Sequence, residues 1–193
     1  MVDTSKKWNV TLVLILIVSC ILYRIIPHPL NFAPITAMAL LSGSYLKSHK
    51  YLAILIPLVA LFASDLVLNN TLYRAYYAET GIILFKPYMI ASFVSIAMIV
   101  LIGSLIKRSK FFHLVSASIS SSAIFFIITN FSSWIELPMY PKSLTGLMEC
   151  YVAGIPFFPF TLFGDLIFTL VLFGLAALAT NKYYAPSLSS SKV

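Results

Sequence analysis

Two carboxylates stand inside long apolar runs of this sequence, Asp65 in Ser64-Asp65-Leu66 and Asp165 in Gly164-Asp165-Leu166. An aspartate at the centre of a helix in lipid costs ~2.5–3.5 kcal/mol on insertion scales, so a chain that keeps two of them has a use for each. That use is either to hold a ligand, a proton or a cation, or to cap a helix or pair with an arginine such as Arg24. A second group lies in the stretch from Arg24 to Pro34, where Pro27, Pro29 and Pro34 restrict φ and present Arg24, His28 and Asn31 on a stiff loop. Such a loop suits a lid or one wall of a pocket; it equally suits a tight re-entry turn with Arg24 snorkelling to the interface. The third group comprises Asn130, Trp134, Tyr140, Glu149 and Tyr151, set among Lys142, Cys150, Pro156, Phe157 and Phe158. Asn130 precedes Trp134 by one helical turn, so the two face one side. Aromatic rings with a few convergent polar groups have the composition of a small-molecule pocket, and also of an interfacial belt. Asn130 is harder to assign to a belt, because an amide inside an apolar span needs partners.

These ten residues, Arg24, His28, Asn31, Asp65, Asn130, Trp134, Tyr140, Glu149, Tyr151 and Asp165, form the candidate substrate-binding set. Catalysis has much weaker support. His28, His49 and His113 are far apart, no HExxH, GxSxG or Walker motif occurs, and Ser116, Ser118, Ser120, Ser121 and Ser122 read as helix-packing residues. An enzyme would need Asp65, His28 or Asp165 to converge within hydrogen-bond reach. The two cysteines, Cys20 and Cys150, make neither a disulfide framework nor a CxxC metal site, so no metal and no cofactor is expected.

The elements that must position these residues are read from hydropathy. Of 193 residues 60% are hydrophobic and 10% charged, with a mean hydropathy of +0.96. A soluble domain keeps roughly a quarter of its residues charged, so the solvent implied here is the lipid bilayer. The net charge of +7 is scattered through short loops and forms no basic face, which argues against nucleic acid as a partner. Apolar runs bounded by Pro, Lys and Arg predict an all-α, polytopic membrane protein that forms a single domain over 1–193. Its six spans fall at about 9–26, 34–46, 51–68, 87–106, 111–134 and 160–181. The second is short, ~20 Å against the ~30 Å hydrocarbon core. A short interfacial helix is expected over 143–153, and the Ser-rich tail 185–193 reads as disordered.

Charge orients the bundle. With the N-terminus inside, the inner segments hold Lys6, Lys7, Lys47, Lys50, Lys107, Arg108, Lys110, Lys182 and Lys192. The outer segments hold Arg24, Arg74, Lys86 and Lys142. That asymmetry predicts cytoplasmic N- and C-termini in a bacterial inner membrane, and it gathers Asp65, Asp165, Asn130 and the His28 loop towards the outer face.

The strings RIIPHPLNFAPITAMALLSG, LVALFASDL, TNFSSW and YPKSLTGLMECYVAGIPFFPFTLFGDL resemble a bacterial family of integral-membrane proteins labelled as transport proteins. More distantly, the chain is similar to the S components, the substrate-binding subunits of energy-coupling-factor vitamin transporters. That resemblance implies an S-component-like six-helix bundle, a vitamin-like small-molecule ligand in a pocket near the outer face, and an energy-coupling ATPase module as a partner. Docking on such a module often uses an AxxxA pattern in the first span. Here the first span has no alanine, and the similar spacing is Ala33 to Ala37. A non-catalytic membrane anchor or assembly subunit is the alternative function, for which Gly174, Ala176, Ala177 and Ala179 supply a small-residue helix face.

Overall fold

The computed structural model describes residues 4–26, 29, 31–76, 81–106 and 110–189, with side chains between 10 and 179, and the regular elements among them are all helices. In order the helices are α1 (Thr4–Ile25), α2 (Ile35–Tyr45), α3 (Lys50–Asn70), α4 (Tyr88–Leu105), α5 (Phe111–Glu136), α6 (Leu144–Gly154) and α7 (Phe158–Ser189). A 3-10 turn at Ile155–Phe157 joins α6 to α7, so the two run on as one apolar stretch. Among the described residues, four stretches are long and apolar enough to cross a membrane: Lys50–Asn70, Tyr88–Leu105, Phe111–Glu136 and Leu144–Ala179. Val10–Ile25 and Ile35–Tyr45 are apolar but shorter. The last helix reaches Ser189, beyond Ala185 where the sequence suggests an irregular tail; its first three turns already contain Gly164, and no later glycine follows Gly174 to stop it.

The pattern of burial is that of a protein dissolved in hydrocarbon. On α4 the exposed positions Ile90, Val94, Met98, Leu101 and Leu105 form one stripe, while Ser92, Ser95 and Gly103 face inward. Elsewhere Ser42, Ser64, Asp65, Ser118, Ser122, Asp165 and Thr169 are all buried, and Leu55, Val59, Ile119 and Ile127 are exposed. Polar groups inside and aliphatic groups outside place hydrogen-bonding groups next to protein partners where no water is available.

The short helix α2 sits at the centre. It packs against α1, α3, α4, α5 and α7, and every residue from Thr36 to Tyr45 is buried. A helix with no outward-facing surface need not match the bilayer thickness. Its closest neighbour is α4. A Cβ on Gly43 would lie 2.0 Å from the Val100 carbonyl oxygen, and one on Gly103 would lie 2.5 Å from that of Leu40. The two glycines thus let the two backbones touch.

Pro57 lies inside α3 and is buried. Lacking an N–H, it leaves the carbonyl of Ala53, one turn earlier, without its helical donor. The Ser42 hydroxyl of α2 donates to that carbonyl at 2.8 Å. Ser42→Ala should therefore cost about 1–3 kcal/mol through the buried unpaired acceptor. In a Pro57→Ala background, where residue 57 regains its N–H, the cost should shrink. Thermal unfolding of the four proteins in detergent measures this, and an equal cost in both backgrounds would refute the pairing.

Candidate functional site

At one end of the bundle the C-terminal portions of α1, α3 and α5 meet the N-terminal portions of α2, α4 and α7. Between them lies a cavity of about 320 Å³, within the range of small-molecule pockets, roughly 300–1,000 Å³. Arg24 of α1 and Asn31 and Ala33 of the following loop form one wall. Thr36 of α2 and Asp65 and Leu68 of α3 continue it, and Tyr73, Tyr88 and Ser92 close the α4 side. From α5 come Phe125, Phe126, Thr129, Asn130 and Ser133; Gly154, Phe157, Phe158, Thr161 and Asp165 complete the circuit.

The two carboxylates have different surroundings. Asp65 accepts from the Arg24 guanidinium, Nη2 to Oδ1 at 2.8 Å, and the Arg24 Nη1 group donates to the Ser64 hydroxyl. Ser64 in turn donates to the Leu61 carbonyl at 2.9 Å. Asp165 meets hydroxyls instead of a cation. Ser122 of α5 donates to its Oδ2 at 2.6 Å, and one turn along both helices Thr169 donates to Ser118 at 3.4 Å. Asp165 and Thr169 are four apart on α7, as Ser118 and Ser122 are on α5, so antiparallel packing registers the two pairs. Thr36 also faces the cavity, and its buried hydroxyl is directed at the Asp165 carboxylate.

Local chain geometry holds this arrangement. Asn31 adopts φ 61°, the left-handed region that asparagine tolerates better than most residues. The next residue, Phe32, lies against Gly164 and stacks on Phe168 with centroids 5.4 Å apart, which ties the α1–α2 loop to α7. Phe126 and Phe158 form an aromatic corner of the cavity, 5.0 Å between centroids. On the opposite wall Tyr88 donates to the Asn69 amide oxygen at 2.9 Å. The Asn70 side chain makes paired 2.8 Å bonds to the backbone of Ile83 and so fixes the approach to α4.

A family model matches residues 4–188, nearly the whole chain. The chain belongs to the family of unknown function DUF6580. No curated protein matches it, and no solved structure does.

In this DUF6580 protein five of the ten sequence candidates, Arg24, Asn31, Asp65, Asn130 and Asp165, line one cavity. His28 lies outside the described residues. Trp134, Tyr140, Glu149 and Tyr151 are not on the cavity wall, and most of them have a mechanical explanation in fastening α6 to α5. Trp134 Nε1 donates to the Pro141 carbonyl at 2.8 Å, Lys142 donates to the carbonyls of Trp134 and Leu137, and Tyr151 donates to the Ile127 carbonyl at 2.8 Å. Cys150 adds a contact to the Asn130 carbonyl. Glu149 is exposed on α6 and Tyr140 half-buried in the loop before it. The aromatic cluster thus divides, with Asn130 facing the cavity and its neighbours clamping the helix that closes it.

Several wall residues escape sequence reading. Thr36, Ser92, Thr129 and Ser133 look like the small polar residues that pack any membrane helix. The string Thr129-Asn130-Phe131-Ser132-Ser133 contained a usable signal, because residues 129, 130 and 133 share one helical face. Among the described residues no group of His, Cys, Asp and Glu is arranged to hold a metal ion.

Proposed function

We propose that this protein is a six-span membrane transport protein, or the substrate-binding membrane subunit of one. In this reading it takes a small, vitamin-like molecule into the cavity beneath α6 from the outer face. The observation that carries the reading is a cavity of about 320 Å³ bearing two buried carboxylates, an amide and a buried hydroxyl inside a shell of exposed aliphatic side chains. Polar groups in a membrane core are expensive, and their convergence on an open volume favours a ligand over helix packing alone. In this assignment α2 counts as a span shielded by its neighbours. The cavity end faces outward, because Lys47, Lys50 and Lys110 cluster at the other end, the side that positive residues hold in the cytoplasm. The chain carries no nucleotide-binding motif, so an ATP-driven cycle would draw on a partner ATPase. The resemblance to S components supports that arrangement.

Native mass spectrometry of the protein purified in mild detergent tests the reading. A bound small molecule should accompany the wild-type protein and be absent from Ser133→Phe, which fills the cavity from α5. Wild-type protein that is reproducibly empty, or a bound mass retained equally by Ser133→Phe, would contradict it.

A further inference from the structure

The charges on the cavity wall select among ligand classes. Three described lining residues are charged: Arg24, Asp65 and Asp165. The Arg24 charge is already balanced, with Nη2 on Asp65 and Nη1 on Ser64, and the two side chains of the pair are 11% and 5% exposed. A ligand carboxylate or phosphate entering the cavity therefore finds no free cation among the described lining residues and must lie near Asp165. Asp165 is 1% exposed, and its bonded neighbour is the Ser122 hydroxyl. Among the described residues no lysine, arginine or histidine pairs with it. A buried carboxylate with no countercharge is costly in its ionised form, and a bound cation offsets that cost. The Thr36 hydroxyl, 2% exposed, faces the Asp165 carboxylate, and its lone pairs make it a second acceptor on the same wall.

We propose that the cavity binds a small organic cation: an amine, or a similar nitrogen-centred cation on a flat apolar body. Its N–H groups bond to Asp165 and to the Thr36 oxygen, and its body lies against the Phe126–Phe158 corner. Ring faces there add attraction for the positive end as well as apolar contact. Ser122 holds the carboxylate in place from behind. This assignment rests on the reading of the cavity as a ligand site, and it adds the charge that the ligand must carry.

Three probes of nearly equal shape test it: phenethylamine, 2-phenylethanol and phenylacetate, each titrated at up to millimolar concentration against the full chain in nanodiscs, with Ser133→Phe as the blocked control. Phenethylamine should bind about tenfold more tightly than the alcohol, with phenylacetate the weakest, and Asp165→Asn should abolish the preference. Thr36→Val, which keeps the side-chain shape, should weaken the amine several-fold and carries the test if Asp165→Asn does not fold. If the alcohol or the carboxylate binds at least as tightly as the amine and Ser133→Phe blocks it, the cation assignment fails and the cavity reading stands. Amine binding unchanged in Asp165→Asn, or in Thr36→Val, overturns the assignment of those residues. If no probe binds, the cation assignment fails, and the cavity reading is then decided by the co-purified mass alone.

Discussion

Gly43→Val is expected to yield no correctly folded protein. The added Cβ would sit 2.0 Å from the carbonyl oxygen of Val100, and the obstructing atom is helical backbone that cannot rotate away as a side chain would. Relief requires α2 and α4 to separate along a contact that also includes Gly103 against Leu40. Inserting bulk into a packed core usually costs about 1–3 kcal/mol; here the centre of the bundle must open, so the cost should exceed that range. Gly103→Val should behave alike. Gly174→Val is the control, since a Cβ there meets nothing within 4 Å, and it should fold as the wild type does. Size-exclusion profiles and thermal unfolding in detergent read all three. A Gly43→Val protein that is monodisperse with a near-native melting temperature would show that α2 and α4 do not pack as described.

Arg24→Ala should be the most damaging single change at the cavity. It leaves the buried Asp65 carboxylate without its guanidinium and Ser64 without the donor above it. Removing one partner of a buried ion pair typically costs about 3–5 kcal/mol, because the remaining charge stays in a medium that solvates it poorly. Replacing both partners should cost much less, since no uncompensated charge then remains. Arg24→Leu combined with Asp65→Leu is therefore expected to melt well above Arg24→Leu alone, and the cycle with the two single leucine variants gives the coupling directly. If the double variant is as unstable as the sum of the single variants, the pair is not what holds α1 to α3.

The pairing of Arg24 with Asp65 was one of two readings the residues permit, and the structure has this bond without removing either residue from the cavity wall. The bond occupies one face of the guanidinium and one carboxylate oxygen, which leaves the side chains part of the lining. Asp165 differs for a reason that spacing along the chain cannot reveal. Its partner Ser122 is 43 residues away and belongs to a serine-rich stretch that reads as ordinary helix packing. The same applies to Ser42, whose role depends on a proline 15 residues later in a neighbouring helix. Trp134 and Tyr151 mislead in the opposite direction. Their types suit a pocket, but their polar atoms reach backbone carbonyls on the α5–α6 seam.

What the sequence by itself determines is local: where apolar runs begin and end, that the backbone in them must be helical, and that Asp65, Asp165 and Asn130 are too costly in lipid to be incidental. These follow from the transfer of each side chain between water and hydrocarbon, a property of the residue and its near neighbours. Only the tertiary structure decides that the short second helix is the buried centre, that one carboxylate is neutralised by arginine while the other faces hydroxyls, and that the aromatic cluster divides between wall and clamp. Those outcomes depend on which helix faces meet, and the meeting is set by backbone contacts such as Gly43 against Val100, between residues far apart in the chain.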